Sequence, residues 1–325
     1  MSKESLLINL LQNYTKEMHL NYVHASKDFK IVPLFSQKWT KNTESIPYCV
    51  STYLLDAYYC LPERPDIAFL FFWECINNNY NTILFSQSLR YSDKKGKEEF
   101  CKIIFREFEK SYTCDRNCYS IKSLFQKILE SSPDKVWHFL ASYILKGYVI
   151  EDSYPDKTNY LTSSYISFKT NYKKEYNIII KSYGEKFKKL YTPRIENDSI
   201  KLSSSDGEIS RKIIHSLGMS LKKLVINGVC EITDVKGNKD ILNLSEKDKI
   251  QFLMDNILYA VRCNSFHGNV ASRLNSVYAN KDSYLTSKFL CILSYYLINV
   301  ALIAEGKMDE CDIICSVNLL EKNNL

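Results

Sequence analysis

The chain has 325 residues, 45% apolar and 25% charged, with 43 Lys+Arg against 37 Asp+Glu for a net charge of +6. That balance is globular with a mild basic bias, and it excludes a wholly disordered chain or a polybasic one. Only 9 Gly and 7 Pro are present and no two glycines lie closer than nine positions, which excludes a Walker A loop, a G-x-G-x-x-G dinucleotide loop and a G-x-S-x-G nucleophile elbow.

The scarcity of turn formers predicts a mainly all-α fold, because strand-rich chains need a turn signal every ~8–12 residues. In chain order, Leu6, Leu7, Leu10, Leu11 and Tyr14 have helical spacing, and a polar, irregular piece follows them. YCVSTYLLDAYYC is a second helical stretch, closed by Pro62 and Pro65. IAFLFFWECINNNYN is bulky and nearly uncharged, so it predicts a buried helix. KKGKEEFCKIIFREFEK is amphipathic, with Phe100, Ile103, Ile104 and Phe108 on one side. SIKSLFQKILE and PDKVWHFLASYILKGYV predict a helical hairpin, with Pro133 at a first helical position. Residues 151–168 read as irregular or short strand, and PRIENDSIKLSSSDGE reads as a linker. Helices are expected over 208–226, 246–263 and 284–304, the first two separated by a turn at Lys236-Gly237-Asn238-Lys239, with Ser245 and Asp248 as a capping pair for the second. From Phe289 to Ala304 there is no charge, but that stretch is short of the ~20 residues a membrane span needs. It predicts a central bundle helix, and no membrane association is expected.

Eleven cysteines, an odd number without framework spacing, predict reduced thiols and a cytoplasmic protein. Cys114/Cys118 and Cys311/Cys315 are C-x3-C pairs, but no His stands near either, so neither metal nor cofactor is expected.

Four of the five histidines (His19, His24, His138 and His215) sit in helical patterns with nothing notable beside them in sequence. His267 differs. It stands in LYAVRCNSFHGN, just past a helix whose apolar stripe runs Ile250, Leu253, Met254, Ile257, Leu258 and Val261. Arg262 closes that helix, Asp255 falls on its face at seven-residue spacing, Tyr259 lies between them, and Asn264 follows. The planar guanidinium of arginine grips phosphate oxygens, and imidazole moves protons near neutral pH. RNA brings its own nucleophile, the 2′-hydroxyl, so such a cluster suits a phosphodiester. Lys173, Lys174, Lys181, Lys186, Lys188 and Lys189 interleave with tyrosines, Tyr176 among them, in a basic stretch where single-stranded RNA would find charge and stacking surfaces.

The string VRCNSFHG, Arg262-x4-His267 followed by Gly, resembles the R-x4-6-H signature of the HEPN superfamily of helical ribonucleases. FFWECINNNYN, with Trp73, Asn77 and Tyr80, is similar to the W-x3-N-x2-Y helix that opens the bundle in many members, and KDSYLTSKFLCILSYYLINVAL resembles its closing helix. The resemblance covers about a third of the chain. It departs from the family at Cys263, where a polar residue is common; Asn264 is the candidate to supply the amide.

The resemblance implies a HEPN-like helical bundle that dimerises so that two motifs face one composite cleft. It implies metal-independent RNA cleavage by the catalytic residues His267 (general acid/base), Arg262 (phosphate clamp) and Asn264, with Asn77, Tyr80, Asp255 and Tyr259 as supporting residues. The implied setting is a toxin or anti-phage defence effector with an antitoxin or other defence partner; the alternative is a non-catalytic HEPN-like module that binds RNA or senses a partner. On this reading 1–60 is an N-terminal helical extension, 61–310 the HEPN-like domain with an insertion over about 110–200, and 311–325 a tail.

Overall fold

The computed structural model describes residues 29–41, 46–114, 116–196, 199–234, 236–266 and 280–323. Its helices are α1 (Gln37–Lys41), α2 (Tyr48–Cys60), α3 (Pro65–Ser86), α4 (Asp93–Phe108), α5 (Ile121–Glu130), α6 (Asp134–Ser153), α7 (Ser163–Asn171), α8 (Lys173–Ile179), α9 (Glu185–Lys188), α10 (Gly207–Asn227), α11 (Glu246–Leu253), α12 (Ala260–Phe266), α13 (Lys281–Ala304) and α14 (Ile314–Lys322). π turns at Ile180–Gly184 and Met254–Tyr259 link α8 to α9 and α11 to α12. Among the described residues the strands form only two-stranded antiparallel hairpins: β1 (Ser111–Cys114) with β2 (Asn117–Ser120), β3 (Tyr191–Glu196) with β4 (Ser199–Ser204), and β5 (Val229–Thr233) with β6 (Lys239–Asn243). The fold is mainly α, as the shortage of glycine and proline predicts.

Two compact units emerge, one from Met1–Ser132 with Val261–Leu325 and the other from Pro133–Ala260. The boundaries differ from the insertion expected over 110–200, because the second unit keeps every element from α6 to α11 together.

In the first unit α3 packs against α2, α4 and α13. Pro65 sits in the first turn of α3, where its missing N–H costs no hydrogen bond, and Phe72, Trp73 and Ile76 are fully buried. α13 is buried at nearly every position, and its tyrosines direct their hydroxyls to backbone carbonyls: Tyr295 to Val32 at 2.7 Å and Tyr296 to Ile121 at 2.6 Å. Its length and apolar composition would also satisfy a membrane span, but 89% of its most apolar stretch is buried against protein, as in a core helix. Two domain assignments change here. α2 packs on α3 and so belongs to the bundle rather than to an extension; residues 1–28 lie outside the described residues. The expected tail carries α14, whose Leu319 and Leu320 are buried and whose Ser316 accepts a 2.7 Å hydrogen bond from Asn299 of α13.

In the second unit α6 packs on α10. Asp206 caps α10 by accepting from the N–H groups of Glu208 and Ile209, and Gly228 ends it in the left-handed conformation. The segment expected as a linker is mostly the β3–β4 hairpin, paired Ile195 to Ile200 and Arg194 to Lys201. Its serines and charges resemble those of a linker, while Tyr191, Pro193, Ile195, Ile200 and Leu202 alternate onto its less exposed face. The expected turn at 236–239 is the β5–β6 reversal, held by Asp234, whose Oδ1 accepts from the N–H groups of Lys236 and Asn238. Residues 158–160 form a 3-10 turn, and Thr162 caps α7, so 151–168 is more helical than its polarity suggests. Pro133 stands at the N-cap of α6, one position earlier than expected.

Candidate functional site

The polar cluster of the first unit starts on α3. Glu74, Asn77 and Asn81 fall on one face of that helix and are half-buried. Asn77 donates from Nδ2 to Glu74 Oε2 at 3.1 Å, and Asn81 donates to Asn77 Oδ1 at 3.4 Å. Tyr80, one turn on from Asn77 toward the interior, is 1% exposed. Its hydroxyl reaches out of the core and donates to Asp93 Oδ1 at 2.9 Å.

Asp93 is the first residue of α4, where the positive end of the helix favours a carboxylate. The same oxygen accepts a second hydroxyl, from Tyr91, also at 2.9 Å. Gly96, one turn into α4, makes this approach feasible: a Cβ there would stand 2.3 Å from the Tyr80 ring. The Asp93 hydrogen bond, with a smaller contribution from burial, raises the Tyr91 phenol above its ordinary value. Arg262 acts on Tyr91 in the opposite sense, so its guanidinium lies within electrostatic reach of that hydroxyl, as does the Glu74 carboxylate.

Arg262, far in sequence from Asn77 and Tyr80, therefore belongs to the same unit as they do. His267 lies outside the described residues, as does the side chain of Asn264. Asp255 and Tyr259 belong to the other unit, where Asp255 is buried and accepts from Gln251 Nε2 at 2.7 Å. The seven-residue phase assumed for Asp255 and Arg262 does not hold, because the π turn at Met254–Tyr259 adds a residue to the helical count.

The basic stretch also differs from expectation. Tyr176 is buried and shares a 2.6 Å hydrogen bond with the Tyr165 hydroxyl, so its ring is packing, not a stacking platform for bases. Lys181 pairs with Asp240 at 2.8 Å and Asp234 at 3.3 Å, and Lys188 pairs with Asp152 at 2.5 Å, which neutralises both within the fold. Lys173, Lys174, Lys186 and Lys189 are exposed and remain available to an anionic strand. The same unit carries a groove of about 350 Å³ lined by Tyr143, Ile150, Tyr160, Ile200 and Leu202, with Lys146 as the one cation in its lining; it is too apolar to track phosphates.

Sequence reasoning missed Glu74, Tyr91 and Asp93. Glu74 stands three residues before Asn77, a spacing that puts both on one helix face. Asp93 is a first-turn acid of α4, and only the fold turns Tyr80 toward it. No family model, curated protein or solved structure matches the chain.

Proposed function

We propose that the chain is a metal-independent endoribonuclease of the HEPN type, acting as a homodimer with a composite cleft in a toxin or anti-phage defence setting. The observation that carries the reading is Arg262 within electrostatic reach of Tyr91, whose hydroxyl shares Asp93 with Tyr80 of the helix that bears Trp73 and Asn77. A guanidinium within reach of the Tyr91 hydroxyl would offer a seat for one phosphate.

In the proposed reaction the 2′-hydroxyl oxygen attacks the adjacent phosphorus and the bond to the 5′ oxygen breaks. The products are a 2′,3′-cyclic phosphate and a 5′-hydroxyl. The His267 imidazole takes the 2′ proton, and protonated imidazole returns one to the leaving oxygen; with two copies in the cleft, the two roles fall to two rings. Arg262 bears the charge that grows on the non-bridging oxygens. The exposed Lys173, Lys174, Lys186 and Lys189 supply salt-dependent attraction for the strand.

The test is incubation of purified protein with mixed RNA in chelator, with cyclic-phosphate ends as readout. Wild type is expected to cleave, with losses of about 100-fold or more in Arg262→Ala and His267→Ala, the scale of a removed general acid/base or charge stabiliser. No cleavage of any RNA by wild type, or equal cleavage by both variants, overturns the reading.

A further inference from the structure

His138 and His215 lie 77 residues apart and look unrelated in sequence. In the second unit they meet. His138 stands in the first turns of α6 and His215 in the middle of α10, and these two helices pack together. His138 Nε2 and His215 Nδ1 face each other at 2.9 Å, with the rings edge-on at 61° and centroids 4.9 Å apart.

The pair is held in place by a notch. Gly218 follows His215 by three residues on α10, and a Cβ at that position would stand 2.8 Å from Cδ2 of the His138 ring. The missing side chain lets the His138 imidazole lie against the α10 backbone. His138 is half-buried there, and His215 is exposed and reachable from solvent. Two ring nitrogens thus converge from two rigid helices, one ring wedged and one open to water.

We infer that His138 and His215 form a binding site for a divalent transition ion of the imidazole-binding class, zinc foremost, that clamps α6 to α10. Imidazole nitrogen is the commonest side-chain ligand for such ions. With zinc–nitrogen bonds of ~2.0–2.1 Å, two nitrogens on a tetrahedral ion stand ~3.3 Å apart, so the pair needs to open by only a few tenths of an ångström. In the metal-free pair one neutral ring donates its N–H to the other; zinc replaces that proton, which leaves to solvent, and water completes the coordination. Among the described residues no group of three or more His, Cys, Asp or Glu converges, so this is a two-histidine site with open positions. Asp134, one turn before His138, pairs with Lys222 at 3.0 Å. The inference stands apart from the proposed RNA chemistry and uses none of its residues.

The experiment uses tag-free, full-length protein, chelator-stripped and kept reduced, titrated with zinc chloride alone by calorimetry and by thermal melting. Because the chain is rich in thiols, the readout is the difference between wild type and His215→Ala, an exposed position whose far-UV spectrum should match wild type. Wild type is expected to bind one more zinc equivalent than His215→Ala or His138→Ala. Its melting midpoint should rise by roughly 5 °C or more at a hundredfold excess over Kd, an increment absent from the variants. Gly218→Ala, with both rings retained but the notch filled, should weaken that equivalent about tenfold or more. Identical isotherms and melting shifts in wild type and His215→Ala, including no binding in either, overturn the inference and leave the pair a plain hydrogen bond.

Discussion

The two units hold themselves together differently. The first is organised around α13, a helix enclosed on nearly every face, with α3 packed beside it and buried along one side. Its buried polar groups are mostly hydroxyls and amides, Asn299 donating to Ser316 at 2.7 Å among them, and at the rim Tyr80 reaches out to Asp93. The second unit puts hydrogen-bonded tyrosines and acids into its packing: the Tyr165 hydroxyl donates to Glu151 at 2.7 Å, meets Tyr176 at 2.6 Å, and Lys169 closes on the same carboxylate. Apolar enclosure contributes roughly 1.5–3 kcal/mol per buried large side chain, whereas an exposed ion pair contributes at most about 1 kcal/mol. The contrast assigns tasks. A core helix enclosed on nearly every face can hold a charged group at its edge in one geometry, and the second unit presents lysines and His215 to solvent.

The sharpest way to break the contrast is to hollow out α13. Tyr296→Ala removes a fully buried ring that stacks on Phe125 at 6.0 Å and donates to Ile121, and it should cost about 3–5 kcal/mol in urea unfolding. Hydrogen exchange should place the loss in the first unit; equal loosening of the second would mean that the two are not energetically separable.

A matched pair of glycines sharpens the comparison next. Gly96→Ala and Gly147→Ala each set a methyl 2.3 Å from a tyrosine ring, Tyr80 in the first unit and Tyr165 in the second. Each should cost about 1–3 kcal/mol by overpacking. Only Gly96→Ala displaces the Tyr80–Asp93 contact, so RNA cleavage at a temperature where both variants stay folded should fall in that variant alone.

The smallest effect is a pH dependence confined to the first unit. Glu305 ends α13, its Oε1 buried without a hydrogen-bond partner among the described residues, and burial pushes its carboxyl up to about 7 from an ordinary 4.5, with Lys307 pulling the other way. Between those values the folded chain keeps a proton that the unfolded chain releases. The favourable contribution is therefore complete below pH 4.5 and is lost as pH rises through 7. Glu305→Gln should flatten that slope and raise stability at pH 8 by about 1–2 kcal/mol, checked by melts across pH 5–8. An unchanged slope would show that the acid is hydrated in solution.

Much of the local structure was legible in the residues. The helical stretch 48–60 coincides with α2, the uncharged run 289–304 marks the core of α13, and Ser245 caps α11 with Asp248 three residues on. Helical period and capping chemistry act within a few residues, so a single chain reveals them. The β3–β4 hairpin was masked by its serines, although its alternation was present. The π turn at Met254–Tyr259 left no local signature, because one added residue in a helix is decided by what the surrounding faces must bury.

What the sequence determined by itself is the class: few turn formers and strong apolar periodicity leave a mainly helical fold, and the motif around Arg262 names a chemistry to test. What only tertiary structure decided is company. Tyr91 and Asp93 join Tyr80, His138 finds His215, and Tyr176 turns inward while its neighbouring lysines face solvent. Each of these depends on contacts between residues 11 to 77 positions apart or on which side of an element the core lies. Such neighbours are chosen by the packing of whole helices, and no short window of residues contains that information.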